Sequence, residues 1–298
     1  MAQRATSAFG PTAHFYECPR WRAGRWWVSD MRGEAVYSFS AEGEARVEIE
    51  MARPAGLGWL PDGKLLVVSM DARLVLQVSP TGQVEKTIDL GPLFGETKGF
   101  LNDMAVTKAG HAYVGFDADF HAYGPDADLG MVVHLPPDGR PGVVAEGLAF
   151  PNGMVLTPDE STLVVAETMQ PRLAGFAIGR DGGLTARGPW GVLAPKRDGR
   201  PAGGPPLGDK RVQLDGCAMD AEGFVWAADV NTGCLRIAPG GEIVDAIVLP
   251  DGLRTFACGL GGPDGRTLMI CGADDNFADR TSRREAQLFT AQVEVAAP

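Results

Sequence analysis

At 298 residues the chain is about twice the common domain length, yet all-β propellers and barrels of this size fold as one unit, so a single domain over residues 1–298 is expected. The formal charge of −11 sets long-range repulsion against phosphates and anionic lipid, which excludes nucleic acid and membrane surfaces as general partners. Apolar residues at 45% supply a core without staples, and runs such as Leu65 to Val68 and Ile243 to Leu249 are far too short to cross a bilayer. With no charged-then-apolar leader pattern, a cytoplasmic protein is expected.

Forty glycines and 22 prolines point to many tight turns, and a repeat organises them. In chain order the copies are E-C-P-R-W-R-A-G-R-W-W-V-S-D from Glu17 to Asp30, L-G-W-L-P-D-G-K-L-L-V-V-S from Leu57 to Ser69, and L-N-D-M-A-V-T-K-A-G-H-A-Y-V-G from Leu101 to Gly115. They continue as F-P-N-G-M-V-L-T-P-D-E-S-T-L-V-V-A-E-T from Phe150 to Thr168, L-D-G-C-A-M-D-A-E-G-F-V-W-A-A from Leu214 to Ala228, and F-A-C-G-L-G-G-P-D-G-R-T-L-M-I from Phe256 to Ile270. Each reads as strand, turn, strand. Several are followed by a second pair, such as V-L-Q-V-S-P-T-G-Q-V and L-R-I-A-P-G-G-E-I-V, which makes the unit four-stranded. Spacings of roughly 40 to 60 residues suit an all-β, six-bladed β-propeller with four-stranded antiparallel blades around a central channel. The terminal strand Gln287 to Val295 has no repeat of its own and is expected to close the ring with an N-terminal strand near residues 11–16. Sustained helical periodicity is missing, which disfavours alternating β and α units. The stretches Ala194 to Lys210 and Asp117 to Leu129 read as surface loops.

Aligned on their turns, the copies place Glu17, Ala55, Asn102, Asn152, Asp215 and Ala257 at one position, the start of each innermost strand. Four of these carry side-chain oxygen. Singly, each would serve as well to hydrate a channel or cap a turn. Four in register converge, and clustered carboxylates in a narrow channel call for a compensating cation. Two carboxylates and an amide oxygen suit one hard divalent ion, Ca²⁺ before Mg²⁺, Mn²⁺ or Zn²⁺.

At these residues the sequence resembles the SMP-30/gluconolactonase/LRE-like family of six-bladed propeller lactonases. The carriers are E-C-P-R-W from Glu17 to Trp21, the pair Asn102-Asp103, P-N-G-M with T-P-D from Pro151 to Asp159, and D-G-C-A-M-D-A-E-G-F-V-W from Asp215 to Trp226. The resemblance implies that Glu17, Asn152 and Asp215 bind the metal, that Asn102 binds metal-proximal water or substrate, and that Asp103 supports the site. It also implies a small-molecule lactone substrate, opened when a metal- or carboxylate-activated water attacks the carbonyl, with Asp215 as the general base.

Two departures stand out. Phe100 occupies the place where members acting on sugar lactones often carry Arg, which points to a less polar substrate held by Phe100 and Met104, with Phe116, Trp59 and Met154 also at the entrance. Cys18 stands where the family commonly has Gly, and Cys18 with Cys258 forms either a redox pair or two buried thiols. All five cysteines lack metal-knuckle spacing, and an odd number cannot all pair within the chain. Of the four histidines, His111 and His134 fall in ordinary strand or turn contexts and suggest no function, whereas His121 lies in F-D-A-D-F-H-A-Y-G-P-D. That stretch is either a hydrated loop or a lid bringing His121, Asp117 or Asp119 to substrate. No G-x-S-x-G elbow is present, so covalent acyl-enzyme chemistry is disfavoured. The alternatives are an aryl-ester or organophosphate hydrolase on the same site, and a non-enzymatic calcium-binding propeller scaffold.

Overall fold

The computed structural model describes residues 4–124, 127, 129–193, 212–250, 252–274 and 283–298. These form six four-stranded antiparallel sheets, each a meander from an inner to an outer strand. The inner strands are Tyr16–Arg22, Pro54–Trp59, Gly99–Val106, Pro151–Leu156, Leu214–Met219 and Arg254–Gly261, here numbered as blades 1 to 6. The chain is thus a six-bladed β-propeller, as its repeat predicts.

Turn chemistry makes each inner hairpin. In blade 2 the sequence Pro61-Asp62-Gly63 closes it, with Gly63 in the left-handed region at φ +86° and the Asp62 carboxylate accepting the Lys64 N–H at 3.2 Å. Second strands such as Leu65–Ser69 are buried throughout, because they pack on neighbouring blades through both faces.

The ring closes where Ser7–Ala13 adds to Ala286–Gln292 as the outer strand of blade 6. The N-terminal strand expected near residues 11–16 therefore lies earlier. Its end is set by Asp30, whose carboxylate takes the N–H groups of His14 (3.3 Å) and Phe15 (2.8 Å) out of any ladder, so that Tyr16 begins blade 1.

The stretch read as a loop from Asp117 is also corrected. Asp117 and Ala118 end the strand Ala112–Ala118, and a one-turn helix, Phe120–Tyr123, follows. The segment Ala194 to Lys210 lies outside the described residues.

All six inner strands share a feature absent from the sequence reading. Their register against the second strand slips by one residue near the strand start: Leu101 faces Phe116 but Met104 faces Val114, and Leu214 faces Asp229 but Cys217 faces Ala227. Equivalent slips occur after Glu17, Pro54, Pro151 and Thr255. Such a bulge bends the strand and re-aims its side chains. Glycines following the bulged position bring neighbouring inner strands together: a Cβ on Gly153 would lie 2.5 Å from the Asp215 carbonyl oxygen, and one on Gly216 would lie 2.6 Å from Ala257 Cβ. The channel is narrow there because backbone meets backbone.

Candidate active site

The bulges set four polar side chains around one end of the channel. Glu17, Asn102, Asn152 and Asp215 retain 6%, 8%, 7% and 8% exposure, so they are withdrawn from bulk water without being sealed off. Ala55 and Ala257, from blades 2 and 6, are fully buried at the same level.

Carboxylates crowd this level. Burial, then the charges of Asp117 and Asp103, pushes the Asp215 carboxyl well above the ordinary carboxylate range, against hydrogen bonds from the Gly216 N–H and the Asn152 amide. Burial likewise pushes Asp117 up, opposed by the Asn102 amide, which donates to Asp117 Oδ2 at 2.7 Å. One cation answers them from blade 1. Arg20 Nη2 donates to Asp103 Oδ1 at 2.6 Å and to the Met104 carbonyl at 3.2 Å.

Among the described residues, Asp103 Oδ2 and Asp117 Oδ1 in this cluster are buried without a hydrogen-bond partner. Orphaned carboxylate oxygens beside a raised Asp215, in an oxygen-only donor set, fit a hard divalent cation. Among the described residues no three His, Cys, Asp or Glu side chains gather closely enough to hold an ion themselves, and the Asn152 amide oxygen is a further candidate donor. Glu17, Asn152 and Asp215 are the residues that would hold it.

Cys18 follows Glu17 at φ +52° and donates its N–H to Glu17 Oε2 at 3.3 Å. A left-handed residue with a Cβ costs about 1 kcal/mol, so glycine would be easier here. All five cysteines are free and buried. Burial, then Asp103 and Glu17, pushes the Cys18 thiol well above its ordinary range, which makes it a poor nucleophile. The Cys258 thiol donates to the Trp226 carbonyl at 3.3 Å.

The remaining residues singled out from sequence divide between the two ends. Phe100 is half-buried and meets Phe150 edge to face at 5.9 Å, two residues before Asn102 and Asn152 respectively. His121 is exposed on the one-turn helix, its N–H bonded to Asp119 Oδ1 at 2.9 Å. Asp119 in turn donates its N–H to the Lys98 carbonyl, which holds the helix beside the start of blade 3. Met104 does not face the entrance. With Trp59 and Met154 it lines a cavity of about 350 Å³ at the opposite end of the channel, together with Trp21 and Leu260. Phe116 is buried against Phe94, with ring centroids 3.8 Å apart.

Sequence reasoning missed Arg20 and Thr168. Thr168 Oγ1 accepts from Asn152 Nδ2 at 3.2 Å and donates to the Leu214 carbonyl at 2.7 Å. The available signal was spacing: Asp117 follows Asn102 by 15 residues, and Thr168 follows Asn152 by 16.

Residues 15–274, a span containing all six inner strands, match the family model described as the SMP-30/Gluconolactonase/LRE-like region. The chain belongs to this family. Among curated relatives, a 6-deoxy-6-sulfogluconolactonase of Pseudomonas putida is 24% identical, the match covering 87% of this chain and 84% of that protein. A gluconolactonase of Zymomonas mobilis is 26% identical over 74% of this chain and 61% of its own length. Among solved structures, a calcium-binding regucalcin from Agrobacterium tumefaciens superposes with a TM-score of 0.76 at 19% identity, covering 100% of this chain and 98% of that one. A gluconolactonase from Xanthomonas campestris gives 0.73 at 20%, covering 97% and 89%. At those identities the superpositions establish the propeller alone. Among the described residues no helix is long and apolar enough to cross a membrane.

Proposed function

We propose that this chain is a divalent-cation-dependent lactonase, with Glu17, Asn152 and Asp215 as ligands and Ca²⁺ as the first choice of ion. The observation that carries the reading is electrostatic. Asp215, Asp103 and Asp117 are gathered at one end of the channel with Arg20 paired to Asp103, and among the described residues two of their oxygens lack hydrogen-bond partners. Family membership and two curated relatives named as lactonases support a cyclic ester as the substrate.

When bound, the ion would act as a Lewis acid that polarises the lactone carbonyl. The chain's own groups do the rest. Asp215 takes a proton from the water that adds to the carbonyl carbon. As the ring C–O bond breaks, that proton passes to the departing ring oxygen, so the product is a hydroxy acid. Asn102 orients water or substrate beside the ion, and Asp103, held by Arg20, maintains the negative surroundings that favour a cation. Phe100 and Phe150 form an apolar wall at this end, which favours lactones less hydroxylated than glucono-lactone.

The test is elemental analysis of purified protein, then chelation and Ca²⁺ add-back during turnover of a lactone panel, with aryl esters and phosphotriesters in parallel. Turnover of a lactone that vanishes on chelation and returns with Ca²⁺ is the expected result. Metal-dependent turnover confined to esters or phosphotriesters would overturn the lactonase reading, and cation binding without turnover would favour a binding scaffold.

A further inference from the structure

A carboxylate ligand has two equivalent oxygens and works whichever way it is turned, but an amide works only with its oxygen toward the cation. Two inner strands present amides, so something must set their orientation. The candidate groups lie one residue beyond the second-strand partner of the residue preceding each amide. In blade 4, Pro151 faces Glu167 and the next residue, Thr168, donates its N–H to the Phe150 carbonyl. In blade 3, Leu101 faces Phe116 and the next residue is Asp117, opposite Phe100.

The equivalent residues behind Glu17, Ala55 and Asp215 are Met31, Met70 and Val230, whose N–H groups bond the carbonyls of Phe15, Arg53 and Gln213. Those three side chains cannot orient an amide. In these five blades a polar side chain stands behind the inner strand only where that strand carries Asn.

Proton counting then fixes the blade 4 amide. The Leu214 carbonyl accepts only, so the single hydroxyl proton of Thr168 is spent on it at 2.7 Å. At its 3.2 Å contact with Asn152 the same hydroxyl must accept, which requires the amide NH₂ there and leaves Oδ1 for the channel. Leu214 directly precedes Asp215, so one buried hydroxyl ties two ligand-bearing strands together. In blade 3 the buried Asp117 Oδ2 accepts Asn102 Nδ2 at 2.7 Å, which leaves Asn102 Oδ1 free of this contact.

We propose that Thr168 and Asp117 are positioning residues, Thr168 turning Asn152 toward the cation and Asp117 turning Asn102 toward water or substrate. This rests on the metal-lactonase reading above, and the two halves predict different losses. The experiment is Ca²⁺ calorimetry on wild type, Thr168→Val, Thr168→Ser and Asp117→Asn, with kcat and KM for a turned-over lactone at saturating Ca²⁺.

Thr168→Val should weaken Ca²⁺ binding by about 10–100-fold, the usual cost of losing an outer hydrogen bond to a ligand, while Thr168→Ser stays within about threefold of wild type. Asp117→Asn, which also removes a charge facing Asp215, should weaken Ca²⁺ binding less than Thr168→Val does and raise KM about 10-fold. If Thr168→Val does not fold, Thr168→Cys, a weaker hydrogen-bonding group of similar size, carries the same test. Undiminished Ca²⁺ affinity in the Val or Cys variant, a Ser variant as weak as the Val variant, or an unchanged KM in Asp117→Asn would overturn the assignment. A wild-type chain that binds no cation overturns the metal reading itself and is seen before any variant is measured.

Discussion

The two ends of the channel are built from the same six strands, a few residues apart, and have opposite chemistry. At one end stand Glu17, Asn102, Asn152 and Asp215; at the other, Trp21, Trp59, Met104, Met154 and Leu260 surround about 350 Å³. Between them Arg20 crosses from blade 1 to Asp103 of blade 3. The far end carries no Asp or Glu side chain among its lining residues, whereas the polar end gathers several. The bulge is what separates the ends, because it turns the first residues of each strand inward while the ladder resumes beyond it.

The sharpest way to break this comparison is at the polar end. Asp215→Asn should lower lactone kcat by about 10³-fold with circular dichroism unchanged, as expected for removal of a general base that also holds the ion. Retained activity would put the proton transfer elsewhere. Next, Glu17→Gln should weaken Ca²⁺ binding by at least about 100-fold in calorimetry, more than a typical outer-shell change.

The dividing pair is the third target. Asp103 is almost wholly buried and Arg20 largely so, and Arg20→Met strands a buried carboxylate. Its unfolding free energy in urea should fall by about 3 kcal/mol. A loss near zero would mean that Arg20 does not hold the two ends apart.

A smaller effect follows from the raised carboxyls. The folded protein keeps protons on Asp215 and Asp117 that the unfolded chain has already released, so the cation-free fold loses stability as pH rises above the ordinary carboxylate value of about 4. A divalent ion offsets that loss. The Tm gain from Ca²⁺ should therefore be larger at about pH 8 than at about pH 5, and a gain independent of pH would separate the ion from these groups. Smallest of all, Leu260→Trp, which fills the far cavity, should leave kcat/KM within about twofold. A large loss would mean that substrate uses both ends.

Much of this was legible because it is local. Strand-turn-strand copies such as Phe150 to Thr168 carry their hairpin chemistry within about 20 residues, so blade number and the shared position of Glu17, Asn152 and Asp215 could be counted. The one-residue register slips could not be seen. Asn152-Gly153 and Asp215-Gly216 are dipeptides that ordinarily mark turns, and here they sit inside strands against a neighbouring blade. Asp117 read as loop because Asp119 and later residues continue its polar run, yet it ends a buried strand.

By itself the sequence determined the repeat, the all-β meander and which blades carry oxygen at the channel, since these depend on spacing along the chain. Only the tertiary structure decided which end of the channel each residue faces, that Arg20 meets Asp103 from 83 positions away, and that Thr168 reaches the Leu214 carbonyl from 46 away. Those contacts depend on how neighbouring blades bulge and pack, and side-chain period along one strand does not encode the partner on the next.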